Sequence, residues 1–268
     1  MYIGDKNFDT EHHTYIMGIL NMTPDSFSDG GSYKNLDAAL RRTETMINEG
    51  ADVIDVGGES ARPGYTMIAD EEEAARVVPV IEAIKSRFDA PVSVDTYKPE
   101  VARAALAAGA DLVNDIWGLK YDSRMGEVIA RSGAACCLMH NRTEPVYQDF
   151  LKDCLEDMRD ILKRAEQAGI KNDRIILDPG VGFGKTLEHN RLVVKHLEAF
   201  THFGVPVLLG ASRKSLIGLT LDTPVTKRLE GTLVTTVMAV LAGVGFIRVH
   251  DILANRRAVI MAESIRDA

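Results

Sequence analysis

The chain has little cysteine, no long apolar run and no excess of positive charge, and each shortage removes a class of protein. Only three cysteines occur in 268 residues, two of them adjacent at Cys136 and Cys137 within an apolar run. That pattern makes neither a disulfide framework nor a metal-ligand spacing, and the thiols read as small buried residues in a reducing compartment. No apolar stretch approaches the roughly 20 residues of a membrane-spanning helix, and the first residues lack the pattern of a secretory signal. The formal net charge is −8, which argues against non-specific nucleic-acid binding. An anionic small molecule is still allowed, because a few local cations can dominate a pocket. Linkers are missing too: no Ser/Pro-rich, low-complexity or single-sign charged block marks a boundary. The expectation is a cytoplasmic, single-domain protein that binds neither nucleic acid nor membrane.

What is present is an ordinary globular composition, 46% hydrophobic and 26% charged, arranged as a repeating unit. The stretch from Ile16 to Gly31, IMGILNMTPDSFSDGG, shows that unit. An apolar run short enough for a buried strand, Ile16 to Leu20, turns abruptly at Asn21 into polar and turn-forming residues. A strand that ends in a long polar loop is how an α/β barrel presents chemistry at the C-terminal ends of its strands.

The pattern recurs along the chain. Strands are expected at 16–20, 52–56, 91–95, 111–114, 134–139, 174–177, 205–209 and 246–249. Helical spacing is expected over 35–49, 70–88, 99–108, 150–168, 187–201 and 227–242, with a last helix closing the chain. Acidic residues open the helix at Asp70, and Pro99 suits a first turn. Eight strand-and-helix pairs in about this length predict a TIM (β/α)8 barrel over residues 15–268. Residues 1–14 are polar and aperiodic and predict a short hairpin closing the barrel's bottom. His12 and His13 are not read as metal ligands, because adjacent side chains on an extended segment diverge.

Polar residues just past the strand ends face one common mouth in such a barrel. Here they are Asn21, Glu59, Asp95, Asn114, His140, Asp178, Lys214, Arg248 and His250. Some would be helix caps, but a set from nearly every strand exceeds what capping requires. Arg248 lies inside an apolar strand, FIRVH, where an unpaired cation is expensive. Asp95 and Asp178 aim at the same centre, so their like charges need a ligand or Lys214 between them. The acceptors of Asp95, Asn114 and Asp178 with the cation of Lys214 suit a flat heterocycle rich in N–H donors and carrying a carbonyl. Asn21, Arg248 and His250, on neighbouring strands, suit an anion, and arginine geometry favours phosphate. No Ser-His-Asp order or activated cysteine implies a covalent intermediate.

The run PGVGFGKT (179–186) is a decoy. A Walker loop needs G-x-x-x-x-G-K-[ST], and Pro179 occupies the first glycine position. Gly180, Gly182 and Gly184 are spaced two and two, so the dinucleotide pattern G-x-G-x-x-G fails as well.

The stretches GILNMTPDSFSDGG (18–31), GADVIDVGGESARPG (50–64), VSVDTYKPEV (92–101), NDI (114–116), LDPGVGFGKT (177–186), ASRKS (211–215) and RVHD (248–251) together resemble the dihydropteroate synthase family, in order and over almost the whole chain. The resemblance implies a folate-pathway transferase that joins 6-hydroxymethyl-7,8-dihydropterin diphosphate to 4-aminobenzoate and releases pyrophosphate. By that likeness Asp95, Asn114, Asp178 and Lys214 would hold the pterin, and Asn21, Arg248 and His250 the diphosphate. Mg²⁺ would be reached through Asn21 and Asp29. Phe27, Ser60, Arg62, Pro63 and Ser215 would build the aminobenzoate site as the first two loops close. Asp95, Lys214, Arg248 and His250 would carry the chemistry, and a homodimer would be the assembly.

One position departs from the family pattern: Ala61 stands where a second hydroxyl residue usually precedes Arg-Pro-Gly. The expected consequence is a weaker closed state and altered affinity for aminobenzoate or sulfonamides. Two other readings share the barrel. One is a methyltetrahydrofolate-binding methyltransferase domain, against which the loops 23–31 and 60–64 look built for a diphosphate and a second substrate. The other is a non-catalytic pterin-binding paralogue, hinted at by Ala61 and opposed by the intact Asn21, Arg248 and His250.

Overall fold

The computed structural model describes residues 1–22, 32–59 and 66–268, without the side chains of 32–34. Two short strands come first, β1 (Tyr2–Ile3) and β2 (Lys6–Asn7), paired antiparallel as a hairpin. The repeating units follow as β3 (Tyr15–Asn21), α1 (Ser32–Asn48), β4 (Val53–Gly57), α2 (Asp70–Arg87), β5 (Val92–Asp95), α3 (Pro99–Ala107), β6 (Leu112–Asp115) and α4 (Arg124–Ser132). The second half runs β7 (Ala135–Met139), α5 (Phe150–Gln167), β8 (Ile175–Asp178), α6 (Leu187–Lys195), α7 (Leu197–Phe200), β9 (Leu208–Leu209), α8 (Ser215–Leu221), α9 (Leu229–Leu241), β10 (Phe246–Val249) and α10 (Ile252–Arg266).

The eight parallel strands lie in the order β8-β7-β6-β5-β4-β3-β10-β9. The remaining seam, between β8 and β9, is held by a single parallel bridge, Leu177 to Val207, with the Leu177 amide donating to the Pro206 carbonyl at 3.0 Å. The sheet is thus a closed (β/α)8 barrel, and closure leaves no long edge exposed. Proline also explains why the strand expected over 205–209 shrinks to two residues: Pro206 has no N–H to add to a ladder.

Helix ends follow their local chemistry. Four acidic residues open α2, and Lys85 and Arg87 close it, each complementing the helix dipole. Thr186 and His189 form a reciprocal cap at the start of α6. Three helices differ from expectation. The one expected over 187–201 breaks at His196, whose ψ of 35° ends α6; the new axis buries Leu197 and Phe200, at 1% and 0% exposure. The helix expected from Lys227 starts at Leu229, because Val225–Lys227 form a separate 3-10 turn. The unforeseen α4 ends at Gly133 in a left-handed cap.

The bottom of the barrel is apolar. Ile3 and Phe8 from the hairpin segment form one cluster with Met17, Val53, Leu112, Ala135, Cys137, Ile176, Leu208 and Phe246. The Phe8 ring meets Tyr15 edge-on at 4.8 Å and tilts against Phe246 at 5.6 Å. The helices pack their buried faces against the outside of the strands in a second, larger core.

Candidate active site

Residues two apart on a strand face the same side. Val53, Leu112, Ile176 and Phe246 all lie in the bottom cluster, so two positions on, Asp55, Asn114, Asp178 and Arg248 continue the same interior face toward the mouth. Asp95 ends β5 and Asn21 ends β3 at that level. The barrel therefore sets a layer of charge directly above a layer of hydrocarbon.

Arg248 is the hub. Its Nε donates to Asp55 Oδ2 at 2.6 Å and its Nη2 to Asp95 Oδ2 at 2.5 Å. Asn114 Nδ2 reaches the same Asp55 oxygen at 3.4 Å, while Asp55 Oδ1 is buried with no protein partner among the described residues. Burial pushes the Asp95 carboxyl up to about 7; Arg248 pulls it down, and Asp55 and Glu73 push it further up. The two carboxylates hold the Arg248 guanidinium firmly protonated despite its burial. Across the mouth, burial raises Asp178, opposed chiefly by Lys214 and by the Gly180 amide, which donates to Asp178 Oδ1 at 2.7 Å. Lys214 Nζ donates to the Val181 carbonyl at 2.6 Å and lies 4.7 Å from the Phe183 ring centre. Burial lowers Lys214 to about 8, against the pull of Asp178.

The other expected anion residues stand nearby. Asn21 Oδ1 and Asp95 flank Gly57: a Cβ built there would lie 3.6 Å from Asn21 Oδ1 and from the Asp95 Cβ. The His250 ring nitrogen Nδ1 meets Ser212 Oγ at 3.0 Å. Asp251 grips Arg213 through two bonds of 3.0 and 2.5 Å, tying the loop of Lys214 to that of His250. Ser215 is the first residue of α8 and is exposed; the cap position itself is taken by Lys214. Phe27, Asp29, Ser60, Ala61, Arg62 and Pro63 lie outside the described residues.

Two residues expected at the mouth are employed elsewhere. Glu59 accepts from Tyr97 Oη (2.6 Å), Lys98 Nζ (2.8 Å) and the Ile68 amide (2.8 Å), so it anchors the base of the second loop. The His140 ring is fully buried between Asp157 and Lys185. A desolvated imidazole and a desolvated carboxylate both need close partners, and these partners lie beneath the mouth rather than across it.

Sequence reasoning missed Asp55, Lys185 and the apolar rim of Tyr97, Ile116 and Met139, with Trp117 and Phe183 packed against it. Asp55 carried a legible signal: a charge inside VIDV is as anomalous as Arg248 inside FIRV. The rim carried none, because Met139 and Ile116 look like any core residue. A groove of about 460 Å³ lined by Arg103, Arg124 and Arg131 lies on the outer wall between α3 and α4, away from the mouth. Its charges form surface ion pairs, Arg124 with Glu100 and Arg131 with Glu127.

The barrel with this charged layer is that of the pterin binding enzyme family, whose profile matches residues 17–250; the chain belongs to that family. Comparison with single proteins narrows the assignment. The chain is 53% identical over 266 residues, covering 99% of both chains, to a dihydropteroate synthase of Clostridium beijerinckii. The crystal structure of a Clostridium difficile dihydropteroate synthase with pteroic acid superposes with a TM-score of 0.94 at 46% identity, covering 97% of this chain and 99% of that one. The Xanthomonas albilineans dihydropteroate synthase with 4-aminobenzoic acid gives 0.91 at 40% identity, covering 96% and 94%. Within its family the chain stands among the dihydropteroate synthases, which are transferases.

Proposed function

We propose that this chain joins 6-hydroxymethyl-7,8-dihydropterin diphosphate to 4-aminobenzoate, giving 7,8-dihydropteroate and pyrophosphate, by departure first and attack second. The observation that carries the residue roles is the buried set of Arg248 between Asp55 and Asp95, facing Asp178 and Lys214. In this reading Asp95, Asn114 and Asp178 accept the N–H groups of the pterin, and Lys214 meets its carbonyl. Asn21, Arg248 and His250 hold the diphosphate.

The carbon–oxygen bond to the diphosphate breaks with its electron pair leaving on pyrophosphate. Arg248 and His250 stabilise that growing charge in a site already desolvated. The exocyclic carbon left behind is cationic and conjugated with the pterin, and the Asp95 carboxylate faces it. The arylamine nitrogen then attacks and releases a proton. Phe27, Ser60, Arg62, Pro63 and Ser215 hold 4-aminobenzoate, its carboxylate at Ser215, and closure of the first two loops excludes the water that would capture the cation.

Magnesium fits the donors at this end of the barrel. Among the described residues no group of three or more His, Cys, Asp or Glu is arranged as a metal cage. Mg²⁺ is commonly held by one or two protein oxygens plus substrate phosphates; the Asn21 amide oxygen at the mouth would supply one, and Asp29, outside the described residues, would supply the other. Bound there, it would supply Lewis-acid stabilisation of the leaving pyrophosphate.

We further propose a homodimer through α9 and α10. Support comes from Val234, Met238 and Leu241 on α9 and Leu253, Ile260, Met261 and Ile265 on α10, all exposed at 37–61% on two helices that pack against each other. Sedimentation of Ile260→Glu should give a monomer where the parent chain gives a dimer. The three cysteines are free and buried, which supports a reducing, cytoplasmic location, and no helix among the described residues is long and apolar enough to cross a membrane.

The deciding assay is pyrophosphate release with the pterin diphosphate, Mg²⁺ and 4-aminobenzoate. Release should require aminobenzoate and collapse in Asp95→Asn. Retained pterin binding without release would sink the catalytic reading.

A further inference from the structure

The run Pro179–Thr186, which fits neither phosphate-binding pattern, does structural work at the mouth. After β8 the chain folds over His140. The His140 amide donates to the Asp178 carbonyl (2.8 Å), and the Phe183 amide to the Gly180 carbonyl (3.2 Å). Gly180 has φ +72°, and a Cβ there would stand 1.9 Å from the His140 carbonyl oxygen, so only glycine fits. The upper side of this turn meets Lys214 at two residues and leaves little room for a side chain at a third. Val181 accepts its ammonium, the Phe183 ring lies beside it, and a Cβ at Gly182 would meet the Lys214 Cδ at 3.3 Å.

The lower side rests on a buried chain of polar contacts. Lys185 Nζ bonds His140 Nδ1 at 2.7 Å and the Phe183 carbonyl at 3.1 Å. The other ring nitrogen, Nε2, meets Asp157 Oδ2 at 2.8 Å, and Arg142 Nε reaches the same oxygen at 2.6 Å. An ammonium only donates, so Nδ1 accepts and Nε2 carries the proton toward Asp157. The tautomer is thereby fixed from both sides.

We propose that Lys185, His140 and Asp157 are positioning residues of the pterin subsite: they brace the 180–183 turn, and through it hold the Lys214 ammonium where the pterin carbonyl is met. The brace rests on the reading that Lys214 binds the pterin. Its electrostatics add a second consequence. Lys214 faces Asp178 of β8, Asp95 of β5 and Arg248 of β10. Lys185 stands behind the turn, with Asp178, Lys214, Lys120 and the Cys154 thiol around it, and burial lowers it to about 8. Two buried ammonium groups each oppose protonation of the other, so loss of the Lys185 charge raises the proton affinity of Lys214.

Lys185→Met tests this, because it keeps the stem and removes the charge and both bonds. The KM for the pterin diphosphate should rise about tenfold or more, with the KM for 4-aminobenzoate within about twofold of its starting value. The alkaline limb of 6-hydroxymethylpterin binding, followed by calorimetry, should move to higher pH. Asp157→Asn, at the partly exposed end of the brace, should weaken pterin binding in the same direction by less while keeping a native circular dichroism spectrum; it serves if Lys185→Met does not fold. Lys214→Met is the reference. If Lys214→Met loses pterin while Lys185→Met and Asp157→Asn bind it as the parent does, with the limb unmoved, the brace is overturned and the functional reading survives. Equal weakening of both substrates likewise overturns the brace. Unchanged pterin binding by Lys214→Met overturns the functional reading itself.

Discussion

At the bottom of the barrel, Ile3 and Phe8 press on Val53, Leu112, Ile176 and Phe246 with no charged group among them. One layer up, the same four strands contribute Asp55, Asn114, Asp178 and Arg248, all in or near the mouth. The two layers share backbone and pleat, and all but the half-buried Arg248 are buried, so they differ chiefly in side-chain chemistry. Hydrocarbon at the bottom gives packing free energy with no demand for partners. Charge at the top must be answered group by group, and the protein answers part of it with Arg248 and leaves the rest for a ligand. Stability and chemistry are thereby separated by about one strand repeat of two residues.

Paired substitutions on β10 should separate them most widely. Phe246→Ala removes a fully buried ring from the bottom and should cost about 3–5 kcal/mol of unfolding free energy. The folded fraction should keep its kcat/KM. Arg248→Met, two residues on, leaves Asp55 and Asp95 without their common cation. It should lower pyrophosphate release on the order of 100- to 1,000-fold. Denaturant unfolding read beside the activity of folded protein checks both. A Phe246→Ala enzyme that stays fully stable, or an Arg248→Met enzyme that stays fully active, would remove the distinction.

A subtler difference lies in pH. The bottom layer has only the Cys137 thiol to titrate, and burial pushes that well above its ordinary range. At the top, burial raises Asp95 from 3.8 to about 7, against the pull of Arg248. The folded protein therefore holds a proton that the unfolded chain has released over that window. The term ν_U − ν_N is negative, so this contribution is complete below about 3.8 and is lost as pH rises through about 7. Each such proton contributes a slope of at most about 1.4 kcal/mol per pH unit. Asp95→Asn should flatten the fall in unfolding free energy across the window, with Asp178, also raised by burial, leaving a residual slope. An unchanged slope in Asp95→Asn would mean that Arg248 keeps the carboxylate ionised throughout.

The same contrast explains what could be read from sequence. Eight short apolar runs, most of them closed by a polar residue, are a one-dimensional pattern, and they give the barrel and the positions of Asp95, Asn114 and Asp178, with Arg248 marked as a charge inside its run. Residues defined by what they touch across the barrel leave no such trace. Lys185 follows the decoy glycines in sequence, yet its partner His140 lies 45 residues away and its effect falls on Lys214. Glu59 and His140 obey the strand-end rule and still turn away, because Lys98 and Asp157 claim them. The short α4 was hidden because its nine residues follow a long loop of mixed character. The exposed apolar residues of α9 escaped for another reason: Ala239 and Val240 are buried while Val234, Met238 and Leu241 are exposed, so the helix reads as apolar nearly all round and no stripe stands out.

The smallest expected effect concerns a position outside the described residues. Ala61 lies between Ser60 and Arg62, in the loop that follows the Glu59 anchor. That anchor is rigid: Lys98 Nζ bonds both Glu59 and the Ile68 carbonyl, so the two ends of the 60–67 segment are pinned to one buried ammonium. With the ends pinned, the closure proposed for this segment would depend on contacts made by the few residues between them. A hydroxyl at position 61 could add one hydrogen bond to the second substrate or to the closed loop, which is worth about 0.5–1.5 kcal/mol net. Ala61→Thr should accordingly lower the KM for 4-aminobenzoate by about 2- to 12-fold, with pterin binding unchanged, since Asp95, Asn114 and Asp178, proposed to hold the pterin, are on the strands. Aminobenzoate and sulfonamide affinities that both stay at the parent values would show that the loop closes without this hydroxyl, and that Ala61 is a neutral replacement.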